Sequence, residues 1–140
     1  MNPAPTTILI VAEERDLVTL LTETLEADGY SVVGTTRPVQ AIALVESTPS
    51  LILIVSDLTM SAMSGVELIR RVCRSRPELR VLFLTEGMDN VAFRESDPVL
   101  FKPFKIETFT SIVRRILTEP AAPPAIDRGL GLERRRSAAN

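Results

Sequence analysis

Short apolar runs alternate along this chain with segments whose apolar residues recur every three or four positions. Runs of this kind, without the polar alternation of a half-exposed strand, are typical of strands buried on both faces of a parallel sheet. Helical spacing fills most of the intervals between them. The pattern therefore predicts five strands alternating with helices, the strands lying at residues 7–11, 31–36, 51–56, 81–84 and directly after Pro98.

The predicted helices have recognisable ends. Gly29 can end the first helix, and Pro38 suits the first position of the second. Ser64, with Glu67 three residues later, has the sequence of a capping box. The residues at helical spacing, expected to face the core, are Leu17, Leu20, Leu21, Thr24, Leu25, Ala41, Ile42, Val45, Val66, Ile69, Val72, Phe109, Ile112, Val113 and Ile116.

Alternating strands and helices favour a parallel sheet with right-handed crossovers. Five strands with open edges favour a flavodoxin-like α/β fold, strand order 2-1-3-4-5, over a closed barrel. The interval between Thr85 and Lys102 leaves room for about two turns near residues 91–93, so the fourth helix should be short or irregular. We expect one domain over residues 1–118 and a disordered, Pro- and Ala-rich tail over residues 119–140.

Polar side chains follow four of the predicted strands, and this is the most informative feature of the chain. Because the carboxyl ends of parallel strands share one edge of the sheet, these groups should converge where α/β proteins bind ligands. Each has a simpler explanation alone: acids favour a helix N-terminus in any protein, for example. The combination favours a site made of Glu13 and Glu14 after the first strand, Asp57 after the third, Thr85 after the fourth and Lys102 after the fifth.

Composition removes several kinds of chemistry. The 140 residues include no histidine, so the chain has no Ser-His or Cys-His pair, no His-ligated zinc and no phosphohistidine. The formal charge of −2 predicts no direct nucleic-acid partner, and no apolar run is long enough to predict a membrane span. The only cysteine, Cys73, favours a reducing, cytoplasmic compartment.

The remaining chemistry uses carboxylates, a hydroxyl, an ammonium and a metal. Carboxylates that lie close together repel one another, and a hard divalent cation such as Mg²⁺ offsets that repulsion. Pro103 restricts the backbone after Lys102, with a cis bond as one means of doing so. An ammonium fixed opposite the acids could balance their charge and then clamp a phosphoryl group.

The ordered set of residues resembles the response-regulator receiver domain of two-component signalling. The resemblance covers about residues 7–117. Residues 57–65, Asp-Leu-Thr-Met-Ser-Ala-Met-Ser-Gly, are similar to the family's segment after the phosphorylated aspartate. Residues 101–104, Phe-Lys-Pro-Phe, match its Lys-Pro-Phe ending. Each motif alone is weak, and their order along the chain makes the resemblance specific.

The resemblance implies a phosphoacceptor rather than an enzyme acting on a separate substrate. Asp57 would take a phosphoryl group from a phosphohistidine of a sensor histidine kinase or a histidine phosphotransfer protein. Thr85 would bond a phosphoryl oxygen, and Lys102 would neutralise its charge. The chain would then signal through a surface that binds an output protein, which the sequence does not name.

The resemblance also implies Mg²⁺ as cofactor. Glu13 would take the principal carboxylate position. Asp57 and the backbone carbonyl of Thr59 would supply further ligands, and Glu14 is an additional candidate. Phosphoryl transfer needs positioning and charge neutralisation more than proton chemistry, so a chain without histidine can support it.

Several positions depart from the family pattern. They leave open a pseudo-receiver, which would keep the fold and dock partners without phosphorylation. They also predict an altered switch, because one metal carboxylate and the usual aromatic ring are missing. The departures are Ala12 and Glu13 in place of the usual acids, Ser61 in place of Pro, Glu86 in place of a small residue, and Val99 in place of an aromatic.

Two other classes fit the chain less well. An aspartate-nucleophile phosphatase usually has a second aspartate two residues after the first, where this chain has Thr59. A nucleotide or flavin binder usually has a glycine-rich loop after the first strand. Residues 12–15, Ala-Glu-Glu-Arg, would instead meet phosphates with negative charge.

Overall fold

The computed structural model describes residues 6–87 and 98–119. Strands and helices alternate through this part of the chain, as the hydrophobic pattern predicts. Their bounds differ from the predicted ones by one or two residues, mainly because β3 and β4 continue further. The elements are β1 (Thr7–Val11), α1 (Arg15–Ala27), β2 (Ser31–Thr35), α2 (Pro38–Ser47), β3 (Leu51–Asp57), α3 (Gly65–Ser75), β4 (Arg80–Thr85), β5 (Val99–Phe101) and α4 (Ile106–Thr118).

The strands form one parallel sheet in the order β2-β1-β3-β4-β5. This confirms the predicted flavodoxin-like fold. Every residue of β1 is buried, because helices cover both faces of the sheet. Successive side chains point to opposite faces, so Leu9 and Val11 join the core on one side, while Ile8 and Ile10 join the core on the other. That two-sided burial explains the unbroken apolar runs.

The helices bury most of the residues predicted to face the core, and one prediction is wrong. Leu20 on α1 is 47% exposed. The buried stripe of α1 instead runs through Val18, Leu21 and Leu25, a spacing that turns position 20 towards solvent. On α4, Phe109 and Val113 are buried, with the other predicted core residues at the edge of the stripe.

Two predictions fall on residues that the structure does not describe. The short fourth helix near residues 91–93 and the tail predicted at residues 119–140, of which the structure describes only Glu119, therefore stay predictions. Over residues 6–87 and 98–119, no helix combines the length and apolar character needed to cross a bilayer.

Polar contacts fix the helix ends near the site. The Ser64 hydroxyl accepts a hydrogen bond of 3.1 Å from the Glu67 amide, one half of the predicted capping box. The Glu67 carboxylate pairs instead with Arg71 at 2.9 Å and Arg70 at 2.6 Å. The hydrogen bond from Arg71 and the positive charge of Arg70 hold the pKa of Glu67 below its ordinary value. The start of α3 is thus well defined directly after the loop that follows Asp57.

The guanidinium of Arg76 fastens the connection between α2 and β3. It donates to the carbonyl oxygens of Val45 at 3.1 Å, Thr48 at 3.2 Å and Pro49 at 3.4 Å, and also to that of Leu51. Carbonyls at a helix C-terminus have no partner within the helix. Arg76 supplies one from a different element and so stabilises the entry into β3.

Candidate functional site

A polar pocket of about 250 Å³ lies at the carboxyl ends of the strands. The polar residues predicted from the strand ends all line it, so the structure brings together groups that are distant in sequence. Four carboxylates and one ammonium make the lining strongly acidic. The lining residues are Glu13, Glu14, Asp57, Thr59, Leu84, Thr85, Glu86 and Lys102.

Asp57 and Lys102 form an ion pair at the centre of this pocket. The Nζ atom of Lys102 lies 2.8 Å from Oδ1 of Asp57, and the side chains are only 20% and 7% exposed. Within residues 6–87 and 98–119, the buried Oδ1 has no well-directed hydrogen-bond donor, and the ammonium is its charge partner. Oδ2 accepts a hydrogen bond of 3.1 Å from the Glu13 amide. The Lys102–Pro103 peptide bond is cis.

The backbone around Asp57 is held from both sides. The Leu58 amide donates to the Leu84 carbonyl at 2.8 Å, and the Gly65 amide donates to the Leu58 carbonyl at 2.7 Å. A Cβ atom on Gly65 would lie 2.2 Å from the carbonyl oxygen of Asp57. Only glycine lets the start of α3 approach this closely, and the approach fixes where Asp57 presents its carboxylate.

Thr85 lies beside the ion pair and connects it to the following loop. Its hydroxyl accepts a hydrogen bond of 3.0 Å from the Gly87 amide. Gly87 has a φ of 88°, and a Cβ atom there would lie 3.3 Å from Cδ2 of Phe101. The Lys102 amide donates to the Thr85 carbonyl at 2.7 Å. These hydrogen bonds connect Thr85 to Lys102, at the end of β5, and to Gly87, which packs against the exposed ring of Phe101.

Glu13 makes a contact that the sequence reasoning missed. Its Oε2 atom accepts a hydrogen bond of 2.5 Å from the Ser61 amide and another from the Ser61 hydroxyl. The pKa of Glu13 is held below its ordinary value mainly by the hydrogen bond from the Ser61 hydroxyl, then by the bond from the Ser61 amide. The nearby ammonium of Lys102 adds a smaller effect in the same direction. The sequence shows the two residue types, a glutamate in place of the usual aspartate and a serine in place of proline, but not that they meet.

The structure also places three other departures from the family pattern. Ala12 is fully buried among apolar residues of the core that α1 and α4 cover, so it contributes nothing to the pocket. Val99 is half-buried and packs against the opposite core. Glu86 is exposed but lines the pocket, where it adds a negative charge beside Thr85.

The oxygen atoms that line the pocket are of the kind that bind a hard cation, although the number of carboxylates that could act as ligands is small. Glu13, Asp57 and Thr59 line one space, and the buried Oδ1 of Asp57 has the Lys102 ammonium as its partner. Mg²⁺ prefers such oxygens and keeps several waters. Across residues 6–87 and 98–119, no group of three acidic or cysteine side chains is placed to hold a metal unaided. The residues therefore fit a site that water completes.

Fold and pocket together define a flavodoxin-like protein with an Asp-Lys-Thr site at the carboxyl edge of its sheet. A family model described as the response regulator receiver domain matches residues 8–114. The chain therefore belongs to the response-regulator receiver family of two-component systems, as the sequence motifs predict.

Relatives and solved structures agree with this assignment. The chain is 30% identical over 116 residues to the response regulator receiver protein CpdR of Brucella abortus, covering 79% of this chain and 95% of CpdR. CheY4 of Vibrio cholerae has a similar fold, with a TM-score of 0.72, 22% identity and coverage of 81% and 99%. The receiver domain of the hybrid histidine kinase CckA gives a TM-score of 0.69 at 24% identity, with coverage of 80% and 99%.

Proposed function

We propose that Asp57 is the phosphoacceptor of this receiver domain and takes its phosphoryl group from a phosphohistidine on a partner protein. The observation that carries the proposal is the buried ion pair between Asp57 and Lys102, beside Thr85. A carboxylate held at a strand end beside a fixed ammonium is ready to attack phosphorus. The charge that would repel the incoming phosphoryl group is partly balanced in advance.

In the proposed transfer, a carboxylate oxygen of Asp57 attacks phosphorus in line with the leaving imidazole. A P–O bond forms as the P–N bond of the phosphohistidine breaks, and the electron pair leaves on the imidazole nitrogen. Lys102 then neutralises the phosphoryl oxygens, and the Thr85 hydroxyl turns from Gly87 to donate to one of them. These are the positioning and charge effects on which phosphoryl transfer depends.

Glu13, Asp57 and the carbonyl of Thr59 would hold Mg²⁺, with Glu14 as an additional candidate. Bound there, Mg²⁺ supplies charge neutralisation at the phosphoryl oxygens. The ion would also reduce the repulsion among the carboxylates that line the pocket. Ala12 leaves one ligand fewer, so we expect weak binding.

The partners follow from the same chemistry. The sequence has no histidine, so the phosphohistidine must lie outside residues 1–140. A sensor histidine kinase or a histidine phosphotransfer protein fits, and the relatives include the sensor kinase CckA of Brucella abortus. An output protein would bind the phosphorylated surface. Cys73 is buried and is the only cysteine in the sequence, a cysteine usage that suits a reducing compartment, so we propose that the exchange takes place in the cytoplasm.

A pseudo-receiver that docks partners without phosphorylation is the second candidate. Two observations favour it: Glu86 adds a negative charge to the pocket lining, and Ala12 removes a metal ligand. Like charges at the entrance oppose a phosphoryl group. The intact set of Asp57, Thr85 and Lys102 favours the first candidate.

Incubation with acetyl phosphate separates the two candidates. We expect phosphate that base or hydroxylamine releases, as for an acyl phosphate, to be incorporated in the presence of Mg²⁺ and not when EDTA is present from the start. Glu86→Gln removes the extra charge at almost the same size and should speed incorporation. If neither the parent protein nor Glu86→Gln gains phosphate, the pseudo-receiver is the better account.

A further inference from the structure

Ser61 and Glu13 come from separate loops and meet at the edge of the pocket. Ser61 donates two hydrogen bonds, one from its amide and one from its hydroxyl. Both are accepted by Oε2 of Glu13. A carboxylate oxygen has two lone pairs, so this contact saturates Oε2 and leaves Oε1 as the oxygen with acceptor capacity.

The two residues compensate for each other chemically. Glu13 is one methylene longer than an aspartate, which adds a rotatable bond and extends its reach by roughly 1.5 Å. An unrestrained glutamate would spread its carboxylate over several rotamers, at a cost in entropy when it binds a metal. The two donors of Ser61 select one position. Proline at this site would have neither an N–H nor a hydroxyl.

We propose that Ser61 is a positioning residue for Mg²⁺, holding Oε2 of Glu13 so that Oε1 faces the metal position beside Asp57. The proposal rests on the proposed function, because it concerns the same metal site. Groups that hydrogen-bond a ligating carboxylate orient it and contribute to metal affinity without touching the metal. A glutamate can thereby serve at a position that would otherwise need a shorter acid.

The contact itself can be tested without metal. In ¹H–¹⁵N spectra of the metal-free protein, the Ser61 amide should resonate downfield, as expected for a donor to a carboxylate. Glu13→Ala should move that signal upfield, whereas Glu14→Ala, which removes the neighbouring carboxylate, should not. If the chemical shift of the Ser61 amide is the same in Glu13→Ala as in the parent protein, the proposal is overturned and the proposed function stays intact.

The metal test compares Ser61 variants in two backgrounds. Mg²⁺ dissociation constants come from titrations of the unphosphorylated protein, followed through the amides of residues 57 and 58. With Glu13 present, Ser61→Ala should weaken Mg²⁺ binding about 10-fold, and Ser61→Thr, which keeps both donors, should restore it. In the Glu13→Asp background the shorter carboxylate falls short of Ser61, so Ser61→Ala should have no effect.

Each other outcome decides against the proposal. An equal loss in both backgrounds would mean that Ser61 only supports the loop, and equal affinities throughout would mean that it does not act on the metal. If Mg²⁺ binds with no dependence on Ser61, the positioning role fails alone. If no variant binds Mg²⁺, the metal component of the proposed function fails, and the positioning role fails with it.

Discussion

The ammonium of Lys102 reaches across the end of β4 to lie 2.8 Å from Oδ1 of Asp57 on β3. Asp57 ends β3, and Lys102 directly follows β5, a strand that is not a neighbour of β3 in the sheet. The side chain that joins them passes the strand end where Thr85 lies. This one contact therefore draws three strand ends into a single site that holds a carboxylate, an ammonium and a hydroxyl.

Removing the ammonium should impair phosphorylation far more than folding. We expect Lys102→Ala to slow phosphate incorporation from acetyl phosphate roughly 100-fold, since one preorganised charge partner of the phosphoryl oxygens is lost. Lys105→Ala is the matched control: it removes the same charge three residues further on, from an exposed side chain outside the pocket lining. Equal rates for the two variants would contradict the role of Lys102, and circular dichroism would report any loss of fold.

The hydroxyl of Thr85 should couple phosphorylation to the loop after β4. In the free protein it accepts the Gly87 amide at 3.0 Å, and on phosphorylation it should turn away. Hydrogen exchange of the Gly87 amide should then become faster, together with changes near residues 59–64, while α4 changes little. Thr85→Ala should make the Gly87 exchange fast in both states, and Thr85→Ser should preserve the difference. A large change across α4 with a quiet Gly87 would indicate a conventional output surface.

The sign of the stability change in Gly65→Ala tests whether α3 approaches Asp57 closely. Exchanging glycine for alanine inside a helix normally stabilises a protein by about 0.5–1 kcal/mol. Here the added Cβ would meet the Asp57 carbonyl, so Gly65→Ala should instead lower the free energy of unfolding by about 1–3 kcal/mol. Urea denaturation measures the change. A gain in stability would show that α3 does not approach Asp57 as described.

We expect Arg76 to contribute more to the free energy of unfolding than a partly exposed side chain usually does. Arg76→Ala removes the guanidinium to which four carbonyls between α2 and the start of β3 are bonded, and we expect a loss of about 2–3 kcal/mol in the free energy of unfolding. Arg71→Ala is the control, because Arg71 makes an exposed pair with Glu67 worth about 0.5 kcal/mol. Similar losses for both variants would argue against this role of Arg76.

The fold could be predicted well because a parallel sheet that is covered on both faces requires unbroken apolar runs in the sequence. The run at β3 is apolar almost throughout because both faces are covered, and the strand ends on Asp57 where the sheet meets solvent. The misplaced residue, Leu20, came from counting apolar positions without knowing which face of α1 the sheet covers. Apolar residues occur on exposed faces too.

The site could be predicted only as far as the sheet itself positions it. Glu13, Asp57, Thr85 and Lys102 follow from strand ends that share an edge. The hydrogen bonds between Ser61 and Glu13 could not be predicted, because the path of the loop after Asp57 decides where residue 61 lies. The same limit applies to Arg76, whose partners depend on how α3 ends.

The most direct test of the account is where the phosphoryl group goes. After incubation with acetyl phosphate and Mg²⁺, intact-mass analysis should show the parent protein gaining one phosphoryl group. Asp57→Asn should gain none, because an amide is a poor nucleophile towards phosphorus. Asp16→Asn, which changes an exposed aspartate in the first turn of α1, should behave like the parent protein. Phosphate incorporation by Asp57→Asn at the parent level would contradict the central claim.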